Sequence, residues 1–171
     1  MMESKKLLDD FIIEISEFNN ISQKKMIFPI MDKISKESYI NSNIFRSMGE
    51  DSAAVFLNDP SDDTLVLITT DGIEEQFCIR RPWSAGFSAI LVGVDDIFAC
   101  GGEPIAASCV ISAPDSDLRG EMLNGLLDAS QRFKVPLIRG HTSETEKSIG
   151  VSATLIGRIK KSDYIVSYFF H

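Results

Sequence analysis

Seventeen basic and 25 acidic side chains in 171 residues give a formal net charge of −8, which excludes whole-molecule attraction to nucleic acid or anionic lipid. Hydrophobic residues at 44% and charged residues at 25% are ordinary globular proportions, so collagenous, disulfide-dense and disordered chains are excluded as well. Cys78, Cys100 and Cys109 are odd in number and form no CxxC pair, so they are read as free thiols of a reducing compartment. No charged-then-apolar leader opens the chain, and the longest uncharged stretches, residues 82–94 and 104–114, fall short of the ~18 residues of a spanning helix. The expectation is a cytoplasmic protein with neither nucleic acid nor membrane as a partner.

Residues 1–48 read as a helical arm. Leu7, Leu8, Phe11, Ile12, Ile15 and Phe18 follow three-and-four spacing, and a second, weaker helical segment follows. From Gly49 the texture changes. Residues 53–57 and 65–69 are short, apolar and rich in β-branched side chains, and Asn58-Asp59-Pro60-Ser61-Asp62-Asp63 between them predicts a hairpin. Residues 84–100 are apolar nearly all round and stop at Gly101-Gly102, which predicts a buried helix closed by a left-handed glycine. Residues 104–113 read as a buried strand. Asp115-Ser116-Asp117 then caps a helix to about Lys134, with Leu118, Met122, Leu126, Ala129 and Phe133 on one face. Residues 135–138 and 149–159 read as two strands joined by a polar turn over 141–148. The order ββαβαββ predicts one α+β domain over 49–171, with a mixed, mainly antiparallel sheet layered with helices.

The chemistry gathers at the ends of these elements. Asp95-Asp96 lies in the last turn of a helix that otherwise avoids charge, where the helix dipole disfavours a carboxylate by roughly 0.3 to 1 kcal/mol. Such a pair calls for a cation; the alternative is that one carboxylate points into water and the other caps the Gly-Gly turn. Asp71 closes the apolar run Leu65-Val66-Leu67-Ile68-Thr69-Thr70, where it is either a ligand at a strand end or a plain Asp-Gly turn residue. Asp51 is open to the same two readings, and His141 follows the apolar segment 135–138. A few carboxylates suit Mg²⁺, which takes its remaining ligands from water and substrate phosphates. Phosphate loops, GxGxxG, HExxH and GxSxG are all absent, so standard nucleotide and hydrolase motifs do not apply. Trp83 reads as core, and Arg80-Arg81 as a solvated pair.

Five segments, in order, resemble the N-terminal domain of the aminoimidazole ribonucleotide (AIR) synthase superfamily. Gly49-Glu50-Asp51-Ser52-Ala53-Ala54-Val55 matches its GDDAAV, Thr69-Thr70-Asp71-Gly72 its TTD, and Pro82-Trp83-Ser84-Ala85-Gly86 a PWxAG of some branches. Val94-Asp95-Asp96-Ile97-Phe98-Ala99-Cys100-Gly101-Gly102-Glu103-Pro104 matches NxxDIAAMGGxP, and Val135-Pro136-Leu137-Ile138-Arg139-Gly140-His141-Thr142 matches VPxxGGHT. The superfamily also includes thiamine-monophosphate kinase, selenophosphate synthetase and a hydrogenase-maturation dehydratase.

The resemblance implies a PurM-like N-terminal domain with helices on one face of its sheet, pairing through the sheet into a dimeric barrel. It implies ATP and Mg as cofactors, with a small-molecule phosphate acceptor. Carried over by motif, Asp51, Asp71 and Asp96 hold metal and triphosphate, Asp95 stands beside them at a position less acidic in relatives, and Gly140, His141 and Thr142 meet the nucleotide. Asp71, Asp96 and His141 are the residues assigned to catalysis. Arg139 departs from the first glycine of GGHT, and Cys100 from the methionine of AMGG. Relatives continue into a second domain of similar size, which this chain is expected to lack and to find in a separately encoded partner. The function implied is ATP-dependent phosphotransfer or ligation. The alternatives are a non-catalytic dimerisation module, and a truncated member whose apolar tail over 164–170 marks a lost partner face.

Overall fold

A computed structural model describes residues 6, 8, 11–15, 26–145 and 147–166. The chain divides into two compact units, Met1–Ile40 and Asn41–His171. In the first, residues 11–15 are helical, while Leu7 and Phe18 of the expected stripe lie outside the described residues. The second helical segment is α1, Ile27–Glu37, whose surface is tied by a Lys36–Asp32 pair at 2.7 Å.

The second unit holds β1 (Ile44–Arg46), β2 (Ala53–Phe56), β3 (Thr64–Gly72), α2 (Glu75–Arg80), α3 (Pro82–Ala99), β4 (Glu103–Ser112), α4 (Ser116–Phe133), β5 (Leu137–Ser143) and β6 (Gly150–Lys160). The strands form one sheet in the order β1-β2-β3-β6-β4-β5, antiparallel throughout except for the parallel β4–β5 pair. The α+β class, the β2–β3 hairpin and the mainly antiparallel sheet are as the sequence predicts. Three details differ. A short helix, α2, precedes the buried one, capped by the Glu74 carboxylate accepting from the backbone N–H of Gln76 and Phe77. Strand β1 forms inside the segment expected to be helical, because Phe45 packs edge-on against Phe56 with ring centroids 5.5 Å apart. Strands β5 and β6 are not a hairpin, since β4 lies between them and β5 runs on through His141 to Ser143.

Alternation places the core. On β6, Val151, Ala153, Leu155 and Ile159 are buried while their neighbours are half-buried or exposed, and β3 and β4 repeat the pattern. The buried side faces α3 and α4. Helix α3 begins with Pro82 at its first turn and is buried along Ala85, Ala89, Ile90, Val94 and Ile97. It crosses α4 so closely that a Cβ on Gly86 would strike the Met122 carbonyl oxygen, and one on Gly125 the Trp83 carbonyl oxygen. Helix α3 ends at Gly101, φ 81°, with Gly102 N–H donating to Ile97 O and Gly101 N–H to Phe98 O. That backbone closure satisfies the last carbonyls, so neither aspartate is needed as a cap. The other face of the sheet is open, with Ile68 and Val110 38% and 43% exposed.

Candidate functional site

The antiparallel register of β3 on β6 carries Asp71 to the penultimate position of its strand. Thr69 and Asp71 are two residues apart, so they share the helix-covered face of the sheet with Leu67. That side meets the last turn of α3, where the Thr69 hydroxyl donates to Asp96 Oδ2 at 2.6 Å. Asp51 lies in the bend just before β2, which pairs with β3 from the other side. Three sequence-distant carboxylates, those of Asp51, Asp71 and Asp96, therefore converge at one end of the sheet.

Their mutual field is visible on Asp96, whose carboxyl is pushed up to about 6. Half-burial is the main cause, opposed by the Thr69 hydrogen bond and reinforced by the neighbouring Asp71 and then by the charge of Asp51. A crowded set of oxygen donors with one held in a partly desolvated position is an arrangement that a hard cation relieves. Among the described residues no three His, Cys, Asp or Glu side chains are drawn close enough to enclose a metal ion by themselves. The donors fit an ion that keeps water or phosphate oxygens in its remaining positions.

Asp95 does not join them. It is exposed, one residue round the helix from Asp96, and the pair splits into an outward and an inward carboxylate. His141 is also elsewhere. It pairs with Val110 on the open face, while Gly140 pairs with Cys109 and Thr142 with Ile111 on the helix side. Asp71 and Gly140 stand on one row across β3, β6, β4 and β5, through Ala153 and Cys109. Three strand spacings put them about 14 Å apart. His141 thus lies one position further along, on the opposite side of the sheet, inside a strand rather than in a turn. Arg139, paired with Ser108, shares that open side.

The sequence motifs give Thr69 no role of its own. Its signal was parity: a hydroxyl two residues before Asp71 on the buried phase of the strand has to find a polar partner. The three cysteines are free, as read from the sequence; the fold also buries all three, and burial pushes each thiol upward. Among the described residues no helix is long and apolar enough to cross a membrane.

Residues 49–159 match the family model described as "AIR synthase related protein, N-terminal domain". An uncharacterized protein of Synechocystis is 30% identical over 154 residues, covering 90% of this chain and 46% of that protein. Thiamine-monophosphate kinase of Bacillus subtilis is 24% identical over 139 residues, covering 78% of this chain and 42% of the kinase. The solved structure of AaThiL complexed with AMPPCP and TMP superposes with a TM-score of 0.64 at 25% identity, over 83% of this chain and 45% of that one. The chain spans less than half the length of each of these relatives.

Proposed function

The chain belongs to the AIR synthase related family through its N-terminal domain, and from that premise we propose that it is the ATP- and magnesium-binding part of an ATP-dependent phosphotransfer enzyme acting on a small molecule. The observation that carries this reading is the convergence of Asp51, Asp71 and Asp96 at one end of the sheet, with Asp96 pushed up to about 6 by burial and by its neighbours. Support comes from the relatives, which include thiamine-monophosphate kinases and a structure holding AMPPCP.

In this reading Asp51, Asp71 and Asp96 hold magnesium, which when bound neutralises phosphate charge in the transfer. The chain's own residues set the geometry. Thr69 donates to Oδ2 of Asp96 and so fixes the direction of that carboxylate beside Asp71. Helix α3, anchored through the Gly86 and Gly125 crossings, carries Asp96 on a rigid base. Gly140, about 14 Å along the row from Asp71, and Thr142, two residues further along β5, receive the far end of the nucleotide. Asp95 faces water at the rim of the metal site, and His141 acts from the open side of the sheet. The acceptor and the rest of the cleft come from a second domain or a partner chain, which the relatives' greater length supports.

The chain pairs as a homodimer through the open face, where Val66, Ile68, Val110 and Ile156 offer an apolar stripe beside the Thr70–Thr154 hydroxyl pair at 2.9 Å. The same face supports a second reading, a dimerisation module without turnover. Calorimetric titration with ATP, with and without Mg²⁺, separates the two. Magnesium-dependent binding lost in Asp71→Asn and Asp96→Asn is expected; a folded chain that binds no nucleotide at any magnesium level refutes the first reading and leaves the second.

A further inference from the structure

The segment after β6 does something that neither the carboxylates nor the family motifs account for. Residues 161–165 leave β6 beside the start of β3, at the end of the sheet away from Asp71, and from there reach both the bend that carries Asp51 and the close of the helix that carries Asp96. Lys161 begins the return, donating its backbone N–H to Asp63 O at 2.8 Å and placing its ammonium 5.0 Å from the Phe56 ring centroid and 5.7 Å from that of Phe45. Tyr164 then packs edge-on against Phe45 at 5.5 Å, and its hydroxyl donates to the backbone carbonyl of Ser52 at 3.4 Å. Ser52 is 1% exposed and adjoins Asp51 directly. One residue on, Ile165 donates its N–H to the Cys100 carbonyl at 3.0 Å, at the close of the helix that carries Asp96. The segment packs closely on Gly101, with Asp163 O and Ile165 Cδ1 3.1 and 3.2 Å from where a Cβ would stand.

We infer that Tyr164 is a positioning residue, the pin of a clamp formed by residues 161–165 that fixes the Asp51 bend against the C-terminal end of α3 and so sets the spacing between Asp51 and Asp96. Ser52 is buried and also lies against the Cys100 thiol at the close of the same helix, while Asp51 beside it is exposed. The aromatic group of Tyr164, Phe45 and Phe56 supplies the anchoring area, while the backbone bonds to Ser52 and Cys100 supply the register. This also changes the reading of the apolar tail: Tyr164 is a packed residue of this unit, and residues 167–170 lie outside those described.

The clamp stands on its own contacts; only its consequence for nucleotide rests on the proposed function. The test therefore has two readouts, on wild type, Tyr164→Phe, Tyr164→Ala and Ile165→Pro. Hydrogen exchange followed by mass spectrometry is expected to speed up about tenfold or more over residues 49–53 and 100–102 in Tyr164→Ala, with β6 unchanged. Tyr164→Phe keeps the ring on Phe45 and is expected to restore protection to within about threefold. Ile165→Pro removes one donor without removing the ring, and should loosen residues 100–102; it carries the test if Tyr164→Ala does not fold. Magnesium-dependent ATP affinity is expected to fall about tenfold in Tyr164→Ala and to return in Tyr164→Phe. Exchange at 49–53 and 100–102 unaltered in both Tyr164→Ala and Ile165→Pro, or accelerated equally across β3 and β6, overturns the clamp. A wild-type chain that binds no ATP overturns the proposed function instead, and leaves the exchange result to judge the clamp.

Discussion

Asp96→Asn should make the protein more stable at neutral pH while removing its magnesium-dependent nucleotide affinity. The carboxyl rises from 3.8 to about 6 in the folded chain. At about 1.4 kcal/mol per pH unit that is a ceiling of about 3 kcal/mol against the ionised form, and the half-buried position, partly screened by water, brings it to about 1–2 kcal/mol. The sign follows from linkage: a group whose folded pKa is raised contributes stability that is complete below its unfolded pKa and is lost as pH rises through about 6. Asparagine carries no charge and keeps an oxygen to accept from Thr69, so it avoids that loss. Thermal unfolding scans from pH 4 to 7.5 are expected to give superimposable midpoints at the acid end. A gap of roughly 2 to 6 °C in favour of the variant should open between pH 4 and 6 and persist above it. A gap that ignores pH, or a variant less stable at pH 7.5, would refute the crowding that the argument rests on.

The remaining predictions address single features. Asp71→Asn removes the nearest raising charge, so the Asp96 carboxyl is expected to titrate closer to 3.8 when followed by carbon-detected NMR; no change would mean that the two do not share a site. Gly125→Ala forces α4 away from the Trp83 carbonyl and is expected to cost about 2–3 kcal/mol in urea unfolding, with the slope unchanged. Lys134 closes α4 at φ 59°, a left-handed position where glycine carries no steric cost, so Lys134→Gly is expected to gain up to about 1 kcal/mol in the same assay. The three cysteines, buried and with thiols pushed upward, are expected to resist a thiol reagent in the native protein and to react fully in guanidinium.

Local chemistry made the two long helices and the hairpin legible. Gly101-Gly102 at the end of α3 and the Asp115 cap of α4, whose carboxylate accepts from the Asp117 N–H, are signals a few residues wide, and the folded chain uses both. The same holds for the aspartates. An acidic pair ending an apolar helix and an aspartate ending an apolar strand are conspicuous because each violates a local preference, and Asp71 and Asp96 meet where those violations pointed.

What the sequence alone determined was therefore the two long helices, the β2–β3 hairpin and the other long strands with their order, the α+β class and the family whose motifs they carry, while α2 and β1 escaped it. Only the tertiary structure decided how they are arranged in space, because strand neighbours and register are set by packing between segments many residues apart. The insertion of β6 between β3 and β4 separates β5 from its neighbour in sequence and, with the parity of β5, turns His141 to the open face. A side-chain period of two makes that orientation depend on a single residue of register, which no short motif encodes. The same long-range packing gives Thr69 its partner and brings Tyr164 back 112 positions along the chain to the carbonyl beside Asp51.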